Sequence, residues 1–433
     1  MKNLVVVESH AYSKELVQAS ISLNYSVIFI RGLKGTKFRD ESLTTELSTL
    51  TSATYDCDLS SEEELNNCIN RIRSYQRVDA ILCIGEEVVE IVSKVSAHQK
   101  LPFTSDVGVG LVRNKQMLRE TLCRCGISKI RSISINNEKD LSTALDVIGL
   151  PAILKPKRGT ASLSVFPIKD KIDTGHLWSC VLQSKKHWPG HIDHVTSGEF
   201  ILEKYLDGQL FSLEIGLASG KTKLLTVSYR YRAEHDESVE IGTLTPAPIS
   251  VELWKVFSDY ASRVVHAADL NRGVFHLEII LTNQGPEVVE LNPRLMGGSI
   301  PLLYQRAYDF NVFEWLIPIY VEGVIPPFPQ KANSYSLSCF FGALDDGILK
   351  KYPDMPWLEN FKDYNPKFHW FIQPSMPFSK LQSNFSYIGR FILTAPTVTA
   401  LLLARDQILL ELEVNLGFKI TRPEQGIPKC LTS

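Results

Sequence analysis

Two carboxylates, an amide and a guanidinium are spaced along Phe275–Gly298, FHLEIILTNQGPEVVELNPRLMGG, so that they can act together. The stretch reads as two strands joined at Thr282–Pro286, where Asn, Gly and Pro supply turn chemistry. Strand side chains alternate, so His276, Glu278 and Ile280 share one face of the first strand, and Val288, Glu290 and Asn292 share one face of the second. A hairpin symmetric about Gln284 sets Glu278 opposite Glu290 and His276 opposite Asn292. Opposed side chains lie roughly 5 Å apart at Cβ, and like charges there destabilise the pair. A divalent cation removes that cost, and oxygen ligands from Glu278, Glu290 and Asn292 suit Mg²⁺ or Mn²⁺ rather than zinc. Arg294 adds an anion-binding group beside a Gly-Gly turn, so a phosphate-handling site is the expectation. Two glutamates on adjacent strands, taken alone, are more often a hairpin with scattered surface charge.

Further candidates lie upstream. Asn114-Lys115 opens a helix predicted to run to Cys125 and to end at Gly126. Lys155 ends a buried apolar strand in Leu150–Val165, a costly place for a cation without an anion to meet. The small-residue loop Gly159–Ser162 has backbone N–H groups that suit phosphates. Phe200–Leu206, FILEKYL, reads as a strand stopping at Asp207-Gly208, able to offer backbone groups to the edge of an adenine.

In this order and spacing the elements resemble the ATP-grasp superfamily, over roughly residues 100–325. The resemblance implies ATP as cosubstrate with Mg²⁺ or Mn²⁺ as metal. It implies that Lys115, Lys155 and Ser162 contact the phosphates, and that Glu203, Lys204, Tyr205 and Leu206 form the adenine hinge. Glu278, Glu290 and Asn292 become the metal ligands. Arg294 faces the transferred phosphoryl group and the substrate carboxylate. Two positions depart from the family pattern: Leu210 stands where many members carry a ribose-holding Glu, and Ala161 where a Gly is common.

Within the superfamily, Arg294-Leu-Met-Gly-Gly-Ser-Ile-Pro301 resembles amino-acid ligases of the bacilysin, dapdiamide and carnosine type. Such enzymes place a substrate-contacting turn straight after the arginine, which brings Gly298 into the catalytic set. Gly298 replaces the bulky Trp of the bacilysin ligase and leaves more room for a side chain. The segment Glu234–Ile249 corresponds to one that lines the amino-acid pocket in these relatives, with Thr243 where a His often stands.

These residues need a scaffold, and the 433-residue chain is long enough for several subdomains. The expected fold is α/β and α+β: an ATP-grasp fold with an N-terminal parallel α/β pre-grasp domain at 1–110, a grasp domain at 111–325 with its lid at about 130–205, and a C-terminal α+β cap at 326–433. Strand-helix alternation through Leu4–Val7, Ser13–Leu23, Ser26–Ile30, Glu62–Tyr75, Asp79–Ile84 and Glu86–Ala97 predicts the parallel sheet. Loops at the carboxyl ends of such strands, starting at Glu8 and Gly85, are ligand-facing candidates or plain helix caps. The tail is read as strand Phe391–Thr394 and helix Thr397–Leu412, with Trp357 and Trp370 as its core.

Composition narrows the function. A formal net charge of −2 gives no electrostatic case for nucleic acid, and no apolar run reaches membrane-span length. The apolar run at the N-terminus is too short for a signal peptide, and eight dispersed Cys without a CxxC pair fit free thiols in a reducing cytoplasm. His187, His191 and His194 lack a Cys partner and read as a solvated loop rather than a zinc site. The expected activity is an ATP-dependent carboxylate–amine ligase that makes an amide through an acyl phosphate. Small carboxylic acids and amines, amino acids first among them, are the expected partners, with a homodimer entertained. The alternatives are a carboxylating or formyl-transferring ligase of purine biosynthesis, and a non-catalytic nucleotide-binding module.

Overall fold

The computed structural model describes residues 1–7, 12–34, 41–159, 163–186, 198–383 and 386–424. Ser162, the three lid histidines and the loop at Glu8 therefore lie outside the described residues. The chain begins with β1 (Asn3–Val7), α1 (Ser13–Ser22), β2 (Ser26–Lys34), α2 (Glu41–Leu50), β3 (Ala53–Asp58), α3 (Glu62–Arg73), β4 (Ala80–Leu82) and α4 (Val89–His98). The four strands form a sheet of order β3-β2-β1-β4, parallel at every pairing. The continuous apolar runs of β1, β2 and β4 are buried in it, as helices on a parallel sheet require. Two expectations change here. Residues 41–58, not assigned from sequence, supply a helix and the edge strand. The helix expected from Glu86 starts at Val89, which leaves Glu86 in the turn beyond β4.

Helices α5 (Asp106–Arg113) and α6 (Lys115–Arg124) lead to a second sheet of β5 (Ser132–Ile135), β6 (Ala152–Pro156), β7 (Phe166–Ile168) and β8 (Phe200–Lys204), in the order β5-β8-β6-β7. Helices α7 (Glu138–Ile148) and α8 (Thr174–Lys185) contribute Leu141, Ala144, Leu177 and Val181 to its small core.

The remaining elements are β9 (Gln209–Ala218), β10 (Lys221–Arg232), β11 (Glu240–Thr245), α9 (Val251–Ala267), β12 (Gly273–Thr282), β13 (Gly285–Asn292), α10 (Ile300–Tyr308), α11 (Val312–Glu322), β14 (Tyr335–Phe341), β15 (Gly347–Ile348), β16 (Lys367–Trp370), β17 (Pro377–Phe378), β18 (Gly389–Ala395) and α12 (Val398–Leu416). Eight of the strands form one antiparallel sheet, β13-β12-β9-β10-β11-β14-β18-β16. The polar segment Glu234–Ile249 thus contains an interior strand, β11, and the strands of the tail extend the sheet that carries the hairpin.

This sheet is two-faced because its strands alternate. Phe211, Leu213, Val227, Tyr229, Leu244, Leu337, Phe341 and Phe391 pack with α9 and α12 into one apolar cluster. Burying each such side chain contributes roughly 1.5–3 kcal/mol. The register puts Glu278, Ser212, Ser228 and Arg230, then Thr243, Ser338 and Arg390, on the other face. Ser212, Glu214, Thr226, Ser228, Thr243, Thr245, Ser336 and Ser338 are buried there. A row of buried polar side chains costs free energy unless it is hydrogen-bonded or serves a ligand, so this face is where a site is expected.

Candidate active site

The hairpin β12–β13 pairs Glu278 with Glu290 and His276 with Asn292. It reaches this register differently from the symmetric closure read from sequence. The turn is tight, with Thr282 paired to Gly285, and an irregularity between Glu278 and Ile279 takes up one extra residue, Val289. Such a bulge frees a carbonyl from the ladder. The carbonyl of Val289 accepts a hydrogen bond from Arg119 Nη2 at 3.0 Å.

Buried His276 fixes the first glutamate. Its Nδ1 is 2.5 Å from Glu214 Oε1, and its Nε2 is 3.0 Å from Glu278 Oε1. Burial opposes a charge on the ring, but the carboxylates of Glu214 and Glu278 outweigh it and push the imidazole up to about 9. The ring is then protonated at neutral pH and donates from both nitrogens. Burial also works against the charge on Glu278. Its hydrogen bond to His276, with Arg230 and Lys115 nearby, nevertheless holds the carboxyl down at about 2.

Glu290 Oε1 accepts from Lys115 Nζ at 3.1 Å. Asn114 caps α6, its Oδ1 accepting from the N–H groups of Gln116 and Met117, so Lys115 opens the helix. The backbone N–H of Lys115 also donates to the carbonyl of Lys157 at 2.9 Å, which ties the helix start to the chain just beyond Lys155. Lys155 meets its expected anion inside the protein: its Nζ lies 2.7 Å from Glu203 Oε2. Arg119 Nε lies 2.8 Å from the other oxygen of Glu203. All three side chains are buried. Burial pushes Lys155 down to about 8, against the pull of Glu203. Burial also opposes the charge on Glu203, and Arg119 and Lys155 overcome it and hold the carboxyl below its usual range.

These groups line one cleft. Its walls include Lys115, Lys155, Gly159 and Glu203–Leu206 from the second sheet and its approach, and Glu278, Ile280, Val289 and Glu290 from the hairpin. Ile153, Leu163, Val165 and Leu210 form apolar walls, and Arg232 and Glu237 also line the cleft. The Glu203 side chain is spoken for by Lys155 and Arg119, and Lys204 Nζ donates to the carbonyl of Leu150 at 2.8 Å. Neither of these two side chains is left free toward the cleft. Asn292 is buried at the end of β13, opposite His276 rather than among the residues lining the cleft.

Arg294 and Gly298 lie just past the hairpin and likewise do not line this cleft. Arg294 Nη2 pairs with Glu86 Oε2, and Arg113 Nη1 lies 2.7 Å from Glu86 Oε1. The two guanidiniums outweigh burial and hold the Glu86 carboxyl well below the usual carboxylate range. The turn beyond β4 thus reaches the hairpin exit, as its place at a carboxyl end allows. Gly298 has φ +65, and a Cβ there would meet nothing within 4 Å. Its carbonyl accepts from Tyr12 Oη at 2.6 Å. Nearby, Arg230 on β10 pairs with Glu240 on β11 and approaches Met296 Sδ at 3.1 Å.

Among the described residues no group of three His, Cys, Asp or Glu forms a metal cage. Glu278 and Glu290 face each other with one oxygen of each engaged by a protein donor. Two carboxylates fit Mg²⁺, which keeps several waters and takes its remaining ligands from phosphates.

Sequence reading did not single out Arg119, Glu214, Arg113, Arg230 or Arg390. A signal existed for Arg119, which follows Lys115 by four positions on a helix and so shares its face. The polar alternation of Ser212-Leu213-Glu214 held one for Glu214.

Known proteins resemble this chain in sequence and in fold. Residues 148–301 match the ATP-grasp domain family. The chain carries an ATP-grasp domain. An L-amino acid ligase from Bacillus licheniformis superposes with a TM-score of 0.73 at 16% identity, covering 98% of this chain and 99% of that one, so the likeness in fold extends beyond the matched residues. Uncharacterized protein y4rH of Sinorhizobium fredii is 25% identical over 235 residues, 54% of this chain and 47% of that protein. This chain's match therefore spans about half the length of that relative. Dapdiamide A synthase of Enterobacter agglomerans is 20% identical over 306 residues, 70% of this chain and 69% of that one. Among the described residues no helix is long and apolar enough to cross a membrane.

Proposed function

We propose that the protein is an ATP-dependent carboxylate–amine ligase that joins an amino acid, or an amino-acid-like acid, to a second amine. The observation that carries this reading is the single cleft in which the opposed pair Glu278 and Glu290 shares walls with Lys115, Lys155 and the hinge at Glu203–Leu206. Its likeness to an L-amino acid ligase and to dapdiamide A synthase supports the amino-acid branch. In this reading residues 1–110, 111–325 and 326–433 act as pre-grasp domain, grasp domain and cap, working in the cytoplasm, and a homodimer is compatible with it.

The chemistry follows from the parts. A carboxylate is a poor acyl donor because its leaving group would be oxide. One of its oxygens attacks the γ-phosphorus of ATP, the bond to the β-phosphate oxygen breaks, and ADP leaves. The acyl phosphate is then attacked by an amine nitrogen, which loses a proton, and phosphate departs carrying that oxygen. Phosphoryl transfer needs positioning and charge neutralisation more than covalent help. Lys115 and Lys155, with Ser162, hold the phosphates, and Tyr205 and Leu206 hold the adenine. Glu278 and Glu290, with Asn292 at the end of β13, would hold Mg²⁺ or Mn²⁺, which would neutralise phosphate charge. Arg294, steadied by Glu86, orients the carboxylate and stabilises the developing oxyanion. Gly298 leaves space for the substrate side chain.

Trapping tests the class. With the accepted acid, Mg-ATP and hydroxylamine, the protein is expected to yield a hydroxamate, ADP and phosphate. With ¹⁸O in the acid's carboxylate, one label is expected in phosphate. AMP as the nucleotide product would refute the mechanism, and ATP hydrolysis indifferent to any acid would favour a nucleotide-binding module.

A further inference from the structure

Most of the buried cations around the site have a carboxylate partner. Lys115 has Glu290, and Lys155 and Arg119 share Glu203. Arg294 and Arg113 share Glu86, and Arg230 has Glu240. Arg390 has no carboxylate within ion-pair distance among the described residues. Its Nη1 donates to the hydroxyl of Ser299 at 2.7 Å. That hydroxyl does not cap α10, although Ser299 stands at its N-cap position.

The placement of Arg390 gives the imbalance a meaning. It sits on β18, on the polar face of the large sheet, opposite Phe340 on β14 and His369 on β16. Ser299 follows Gly298, and the Gly298 carbonyl is held by Tyr12. Arg390 therefore grips the far end of the turn that starts at Arg294. Burial pushes the Arg390 guanidinium down from its usual value, and the same guanidinium and burial keep His369 down as well, so His369 adds no competing charge at neutral pH. A largely buried guanidinium without an anion is costly, and a planar fork of donors suits a carboxylate in two-point contact.

We propose that Arg390 receives the free carboxylate of the amine substrate, the one that is not activated, so that the acceptor is an α-amino acid or another amine bearing a carboxylate. This rests on the ligase reading above. Arg294 serves the carboxylate being phosphorylated. Arg390, at the other end of the same turn, serves the one left untouched in the product. Discrimination against an amine without a carboxylate then comes from leaving Arg390 unpaired, the penalty a site imposes when its buried polar group loses its partner.

The test uses the full chain and a panel of L-amino acids as acceptors, each beside its own carboxamide, with hydroxylamine in place of either as a control. Hydroxamate formation by the wild type establishes the ligase half-reaction independently of Arg390. The wild type is expected to prefer the amino acid over its carboxamide in kcat/KM. In Arg390→Met that ratio is expected to fall by about tenfold or more, the size of a lost charge-assisted contact. Arg390→Lys, which keeps the charge but not the fork, is expected to lie between the two and guards against a Met variant that does not fold. A purely structural role would lower both kcat/KM values together and leave the ratio unchanged, which would overturn the assignment. A wild type that makes hydroxamate yet accepts the carboxamide equally well would also overturn it, with the ligase reading intact. No acid-dependent hydroxamate with any acid would remove the ligase reading and this assignment with it.

Discussion

Nε2 of His276 lies 3.0 Å from Oε1 of Glu278, and the other ring nitrogen is held by Glu214, so a buried imidazolium orients a candidate metal ligand from behind. Groups that orient metal ligands typically change metal affinity or activity by about 10–100-fold when lost. His276→Gln keeps at most one of the two contacts and strands Glu214 in the core. The Mg²⁺ concentration needed for half-maximal ADP release is expected to rise by about tenfold or more. The variant is expected to lose about 3–5 kcal/mol in urea unfolding, as for one partner removed from a buried pair. An unchanged Mg²⁺ dependence would mean that Glu278 is oriented by something else.

Lys155 gives a pH signature with an unusual sign. Its folded value of about 8 lies below the ordinary 10.5, so unfolding takes up a proton between those limits. The unliganded protein is therefore expected to gain stability from this group as pH rises through that window, by at most about 3 kcal/mol. ATP phosphates favour the charged lysine, so nucleotide binding near pH 8 is expected to take up a fraction of a proton. Calorimetry in buffers of different ionisation enthalpy reads that uptake. Lys155→Arg, which does not titrate there, is expected to abolish it.

Glu290→Gln separates folding from catalysis. The Lys115–Glu290 pair is part-exposed, and such pairs contribute about 0–1 kcal/mol. Its loss is offset by relief of the repulsion between Glu278 and Glu290. The metal-free variant is expected to melt within a few degrees of the wild type, about the shift that 1 kcal/mol produces in a chain of this size. ADP formation is expected to be abolished. Wild-type turnover by this variant would remove the metal assignment.

Arg294→Ala is expected to leave ATP affinity nearly intact and to slow the chemical step, because Arg294 meets Glu86 outside the walls of the cleft proposed for the nucleotide. Glu86 keeps Arg113, so no buried carboxylate is left unpaired. Isothermal titration with ATP and single-turnover ADP release distinguish the two effects. Loss of nucleotide binding in Arg294→Ala would reverse the roles given to Arg294 and Lys155.

Local chemistry along the chain determined much of this. The alternation in FHLEIILTNQGPEVVELNPR put Glu278 and Glu290 among few possible registers, because a strand's period is two, but it is the irregularity at Val289 that sets them opposite each other. The capping residue Asn114, the apolar strand ending at Lys155 and the turn residues at Asp207-Gly208 marked the other pieces of the cleft in the sequence. Tertiary structure decided how the charges are shared. Glu203 belongs to Lys155 and Arg119, Glu86 to Arg294 and Arg113, and Glu214 to His276, pairs that join residues 27 to 208 positions apart. It also decided that the tail shares a sheet with the hairpin, which sets Arg390 against Ser299. Periodicity reports which face of an element a side chain occupies and says nothing of which distant element covers that face. The partner of a buried charge is set by long-range packing, where the cost of leaving it unpaired is felt.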